Sequence, residues 1–328
     1  VRSESTGDPV TFTAADLTPG AVPGWAGYVA GVVWALREAG IDVPGARLAI
    51  TSDVPLGAGL SSSAALECAV LASLLDLGGR VDAVAVTRWP ALAQSAENSY
   101  VGVPCGIMDQ SAATLCREAH ALFLDCRTQQ VEQVPFRLDE AGLAMLIVDT
   151  RAPHRHTDGE YAKRRATCEA ASRVLGVPAL RDVTDLPAAL AALPDDLSRR
   201  RVRHVFTENA RVHETVALLH AGRPEAIGPV LTASHASMRD DYEITVDEVD
   251  VAVDAALGAG ALGARMTGGG FGGCVIALIG AAEAEHVTDE VAKSFAAHGF
   301  TAPRAFVTQP SQGVSRASLI HPVAPTQR

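Results

Sequence analysis

The chain has 328 residues, 48% of them hydrophobic and 20% charged, with a formal net charge of −11. That size suits about two folded domains, and the acidic balance excludes a sequence-independent nucleic-acid surface while leaving room for a small anion gripped locally. Six cysteines without CxxC pairing, no apolar run of bilayer length and no signal-peptide pattern point to a reduced, cytoplasmic setting with no membrane partner and no structural zinc.

The chain opens on Val1, and residues 1–24 are polar with no complete element, so the sequence is expected to begin partway through a longer protein. Trp25, Tyr28, Val29, Val32, Val33 and Leu36 mark an amphipathic helix stopping at Gly40. A short strand, residues 47–52, leads into VPLGAGLSSSAAL at 54–66 and a helix whose apolar stripe reads Leu66, Ala69, Val70, Ser73, Leu74 and Leu77. A helical region over 81–99 is interrupted by Pro90, and strand-like runs follow at 121–125 and 131–135. Residues 139–142 (DEAG) are a boundary, dividing the chain into 1–140 and 141–328. Beyond it come a buried strand at 144–150, a charged helix at 158–175 and a Pro-punctuated stretch at 184–196. Helices follow near 200–221, 223–238 and 246–258, then a glycine run, the strand 274–279, a helix near 282–297 and a last strand near 304–307. Helices alternating with separated strands predict an α+β protein.

Three segments carry chemistry. In the first, Gly57 and Gly59 bring backbone close to a ligand, and Ser61, Ser62 and Ser63 open a helix whose free N–H groups and positive dipole end suit a polyphosphate. No lysine follows, so it is not a P-loop, and it lacks the third glycine and the acidic residue of a dinucleotide fingerprint. The plain alternative is a serine-capped helix after a tight turn. The second segment is AENSYVGVPCGIMDQ at 96–110. Asp109 beside a helix start is either an N-cap or a carboxylate facing a cleft, able to take a proton from a hydroxyl. Glu97, taken alone, is a solvated surface charge. The third, RMTGGGFGGC at 265–274, packs five glycines into six residues ahead of its strand, the wrong order for a dinucleotide site, and fits backbone laid closely against a ligand or another loop.

In this order, PLGAGLSSSAA, PCGIMDQ and MTGGGFGGC resemble the galactokinase branch of the GHMP kinase family, with EYAKRR at 160–165 and SHASMRDDYE at 234–243 as further matches. The resemblance runs from Trp25 to the end of the chain. It implies a two-domain fold, a ribosomal-S5-like α/β N-terminal domain and a ferredoxin-like C-terminal domain, over a cleft for ATP and a sugar. It also implies ATP-dependent phosphorylation of the anomeric hydroxyl of α-D-galactose. Gly57, Gly59, Ser61, Ser62 and Ser63 would then form the phosphate loop, with Ser62 and Glu97 as Mg2+ ligands. Trp25 and Tyr28 would pack the adenine or serve the core, and Arg155 would reach the phosphates. Asp109 would manage the proton of the sugar hydroxyl, Gly106 and Tyr161 would line the sugar pocket, and the third glycine run would buttress the phosphate loop. The protein is expected to act on small molecules as a monomer or weak homodimer.

One departure accompanies the resemblance. The family's earlier GRVNLIGEHTDY-type motif has no counterpart here, and would precede residue 1. The chain as written is therefore expected to show little or no kinase activity and to leave a sheet edge exposed. Rival readings are a kinase for another small alcohol, a catalytically silent galactose and ATP sensor and, weakest, an NAD-binding module.

Overall fold

The computed structural model describes residues 1–4, 8–55, 59–152 and 159–317. A two-residue strand, β1 (Arg2–Ser3), pairs in parallel with β2 (Ala49–Ile50), and α1 (Trp25–Glu38) lies between them in the chain. α2 (Ser62–Leu77) follows the serine cluster. The α1 residues Val29, Val32 and Leu36 pack against Val70, Leu71, Leu74 and Leu75 of α2, the apolar contact that seats the two helices together. The predicted α2 stripe is corrected. Leu77 is 59% exposed, and Ala69 and Ser73 face outward. Val70 and Leu74 are buried as predicted, and the rest of the buried face runs through Ala64, Glu67, Cys68, Leu71 and Leu75. A helix apolar on nearly every side gives no sharp stripe, and a glutamate on the inward face disguises the one that exists.

The region predicted as one interrupted helix is three pieces: a 3-10 turn at Val86–Arg88, α3 (Trp89–Ser95) and a π-helical turn at Ala96–Val101. Pro90 opens α3 rather than breaking it, because in a first turn its missing N–H has no helical partner to lose. Gly31 lets α1 lie on the π turn, since a Cβ there would come 3.1 Å from the Ala96 carbonyl oxygen. α4 (Met108–Leu115) leads to an antiparallel hairpin, β3 (His120–Leu124) and β4 (Val131–Pro135).

The remaining chain is β5 (Leu143–Asp149), α5 (Glu160–Leu175), α6 (Leu186–Ala192), α7 (Asp196–His220), α8 (Gly228–Ser237), α9 (Asp247–Gly258), β6 (Gly263–Thr267), β7 (Cys274–Gly280), α10 (Ala284–His298) and β8 (Arg304–Thr308). Its four strands form one antiparallel sheet in the order β6-β7-β5-β8, the β-α-β-β-α-β layout of a ferredoxin-like domain. Val249 and Val253 of α9 and Val287, Val291 and Phe295 of α10 cover one face. The other meets Leu219 of α7 and Val134 of the hairpin. After β8 the chain returns to α4, where Gly313 and Val314 donate backbone hydrogen bonds to Cys116 and Ala113.

Two further expectations change. The stretch at 184–196 holds α6, capped by Asp185 accepting from the Ala188 N–H at 3.0 Å with Pro187 in the first turn, so its prolines begin helices as much as end them. Strand β6 was hidden because it is short, begins with glycine and carries Arg265 between the buried Ala264 and Met266. Its first residue touches α8 directly: a Cβ on Gly263 would fall 1.9 Å from the Gly228 carbonyl oxygen. Replacing Gly263 with alanine must push α8 off the sheet, and urea denaturation is expected to register a loss of about 2–4 kcal/mol; a change within 0.5 kcal/mol would contradict this packing.

Candidate active site

The segment ahead of α2 is built for close approach. Gly59 has φ 72° and Ser61 φ 56°, so the chain enters the helix through left-handed backbone that is unfavourable for a serine. Ser61 occupies the N-cap position but makes no capping hydrogen bond, and the hydroxyls of Ser61, Ser62 and Ser63 have no partner among the described residues. The serine-cap reading required such a bond and is corrected. The first-turn N–H groups of a 16-residue helix stay available, at its positive end.

The third glycine run presses on this loop from the other half of the chain. A Cβ on Gly268 would lie 2.8 Å from the Gly59 carbonyl oxygen, and one on Gly59 3.7 Å from the Cα of Gly273. The expected buttress is therefore a backbone-to-backbone contact that only glycine permits. Beside it, Trp25, Ile50, Ser52, Ser62 and the outward small residues Ala69 and Ser73 of α2 line a cleft of about 490 Å³. Tyr28 is absent from that lining. Burial, and then the charges of Glu97 and Glu67, raise its phenol above the usual range. Gly57, Arg155 and the side chain of Tyr161 lie outside the described residues.

Glu97 is 5% exposed, not a solvated charge. It sits in the π-helical turn, a helix distortion frequent at functional sites. Gln110 Nε2 donates to Glu97 Oε2 at 2.8 Å and to Glu67 Oε2 at 3.2 Å, and the Cys105 thiol donates to Glu97 Oε2 at 3.3 Å. One buried amide thus ties two buried carboxyls, from α2 and the π turn, to the start of α4. Glu67 and Gln110 escaped the sequence reading. The available signal was Glu67's register with Leu71 and Leu74 on the inward face of α2. The same loop is pinned by Asn98, whose Oδ1 accepts the Cys105 N–H at 2.7 Å, and this fixes the turn that carries the exposed Gly106.

The N-cap reading of Asp109 is also corrected: the cap is Ile107, and Asp109 lies in the first turn of α4. It is half-buried and has no hydrogen bond among the described residues, while its neighbour Gln110 is fully buried. Successive helical positions diverge by about 100°, so anchoring Gln110 inward turns Asp109 outward as an unengaged carboxylate. A cavity of about 860 Å³ between α4, β3, α5 and α7 includes Met108 but none of the predicted site residues.

Burial, reinforced by Glu97, pushes the Glu67 carboxyl up from the ordinary 4.5 to about 9. In the unfolded chain it ionises above its ordinary value, whereas the folded chain keeps the proton. Stability is therefore lost as pH rises from 4.5 towards 9. Glu67→Gln removes that loss. Thermal unfolding should show the variant equal to wild type near pH 4 and more stable near pH 8, by on the order of 1–3 kcal/mol; a pH-independent difference would contradict the assignment.

Comparison with known proteins adds to this geometry. The model of the GHMP kinases N terminal domain matches residues 27–117 and that of the GHMP kinases C terminal domain residues 215–297. A galactokinase of Streptomyces coelicolor is 52% identical over 314 residues, spanning 94% of this chain and 80% of its own. One of Mycobacterium bovis is 49% identical over 302 residues, spanning 92% and 82%. Among solved structures, Lactococcus lactis galactokinase complexed with galactose superposes with a TM-score of 0.86 at 32% identity, over 92% of this chain and 79% of that one. With both lobes matched and the glycine strap seated on the serine loop, the chain belongs to the galactokinase branch of the GHMP kinase family.

Proposed function

We propose that this protein is a galactokinase, transferring the γ-phosphoryl group of ATP to the anomeric hydroxyl of α-D-galactose. The observation that carries the reading is a set of groups with no partner among the described residues, the Ser61–Ser63 hydroxyls and the Asp109 carboxylate, set at either end of one buried network. Galactokinases half-identical over almost the whole chain favour this acceptor over another alcohol or a silent sensor.

In this reading Gly57, Gly59 and the first turn of α2 bind the polyphosphate through backbone N–H groups and hydroxyls. Trp25 flanks the adenine in the neighbouring cleft, and Arg155 approaches the phosphates. Gly106 and Tyr161 border the sugar. Asp109 accepts the proton of the anomeric hydroxyl, which is more acidic than an ordinary alcohol, as its oxygen attacks in line. Most of the rate gain then comes from alignment and charge neutralisation.

Magnesium fits the donor set. Among the described residues both side-chain hydrogen bonds to Glu97 fall on Oε2, which leaves Oε1 to a cation, and the Ser62 hydroxyl has no partner. These are hard oxygen donors of the kind Mg2+ takes alongside phosphates. No cluster of three acidic, histidine or cysteine side chains competes as a metal site among the described residues. Bound there, the ion would neutralise phosphate charge.

The work is divided between 1–140 and 141–328, although residues 310–314 close back on α4. No helix among the described residues is long and apolar enough to cross a membrane. The partners in this reading are small molecules only, in the cytoplasm, with the chain a monomer or weak homodimer.

Two substitutions test the roles. Asp109→Asn should lower galactose-dependent ADP formation by about 10²–10⁴-fold relative to the unsubstituted chain, at whatever level that chain turns over, with ATP affinity unchanged; retention of more than a tenth would remove Asp109 from the reaction. For Glu97→Gln, the magnesium concentration giving half-maximal ATP binding should rise about tenfold or more, and an unaltered requirement would place the metal elsewhere.

A further inference from the structure

A loop with five glycines in six residues has almost no conformational preference of its own, so its shape must be imposed from outside. One end of the strap is tied by Thr150, whose hydroxyl donates to the Gly273 carbonyl at 2.7 Å. The middle is tied by Ile244, whose carbonyl accepts the Phe271 N–H at 2.7 Å and would lie 2.9 Å from a Cβ on Gly270. Ile244 follows the π-helical turn Met238–Tyr242 that ends α8, where helix carbonyls run out of internal partners.

Those carbonyls are claimed by arginines from two other helices. Arg201 of α7 donates to the Asp241 carbonyl and, at 2.6 Å, to Glu243 Oε2. Arg164 of α5 donates from Nε to the Tyr242 carbonyl at 3.0 Å and from Nη2 to the Glu243 carbonyl at 2.8 Å. Its Nη1 holds Glu160 at 3.0 Å, and its guanidinium carbon lies 5.4 Å from the centre of the Phe271 ring. A single planar side chain therefore grips both the helix end that precedes Ile244 and the aromatic ring of the strap.

We propose that Arg164 is a positioning residue for nucleotide binding: through the 242–243 carbonyls and Phe271 it holds the glycine strap against Gly59, and so fixes the anion-binding loop at the start of α2. This rests on the reading of that loop as the ATP phosphate site. In this reading Arg164 acts through the strap, its contacts being to Glu160, the 242–243 carbonyls and Phe271. An ammonium cannot reproduce the fork, which spans two carbonyls and a carboxylate while stacking on a ring.

The test is calorimetric titration of the 328-residue chain with ATP in magnesium buffer, for wild type, Arg164→Lys, Phe271→Leu and the double variant. Arg164→Lys should raise the ATP Kd about tenfold and Phe271→Leu about threefold, both at full stoichiometry, with the double variant no weaker than Arg164→Lys because both cut one chain of contacts. A merely structural role would lower the fraction of competent protein and leave Kd unmoved, and that result overturns the proposal. So does a folded Arg164→Lys that binds within twofold of wild type. If Arg164→Lys does not fold, Phe271→Leu decides alone, a threefold weakening supporting the proposal and an unchanged Kd overturning it. A wild-type chain that binds no ATP overturns the nucleotide reading, and this inference with it; binding by wild type and variants alike overturns this inference only.

Discussion

The contact between two stretches of glycine backbone, 268–273 and the loop entering α2, carries the organisation of this molecule. An α-helix begins with N–H groups that lack internal partners, and most proteins cover them with the side chain of the N-cap residue. Here a serine stands at that position in left-handed backbone and its hydroxyl makes no capping hydrogen bond. Such an arrangement is uphill for the isolated chain and persists only where surrounding structure dictates it. The strap supplies that structure, because Gly268 lies where any side chain would strike the Gly59 carbonyl. The binding potential of α2 is therefore made by the fold of the other lobe.

A second constraint acts at right angles to the first. Gln110 is committed to Glu67 and Glu97, which locks the first turn of α4 to α2 and to the π turn. Serine loop and Asp109 thus sit on two helices joined by one buried amide; under the proposed roles, the distance between phosphate donor and acceptor would be set by the protein interior rather than by a loop. In-line transfer depends on that distance more than on any covalent participation by the protein. The cost is a glutamate held protonated in the core, with Glu67 Oε1 and Gln110 Oε1 both buried without partners among the described residues.

Much of this was legible from residue order. α1 announces itself by period and β5 and β7 by continuous apolar runs, and the glycine and serine runs point to a site because few other roles need that composition. The family resemblance assigned Glu97 and Asp109 roles that local pattern alone gave to a surface charge and a cap. What could not be read depended on three dimensions. The inward face of α2 was displaced by Glu67, a charge that pattern reasoning sends outward. Strand β6 carries an arginine whose guanidinium meets Glu208 only after α7 folds over it. The π turn has no composition of its own, and residues 96–99 of it read as the end of an ordinary helix. EYAKRR and SHASMRDDYE served as marks of kinship, yet neither motif revealed that an arginine from one would cap the helix end formed by the other.

Backbone amide resonances of residues 60–65, followed by NMR as ATP is added with magnesium, test the central claim most directly. If polyphosphate docks on the uncapped start of α2, the signals of Ser61, Ser62 and Ser63 shift together and saturate with the nucleotide. Shifts confined to other surfaces, such as the cavity between α4, β3, α5 and α7, with these three amides unmoved, would contradict it.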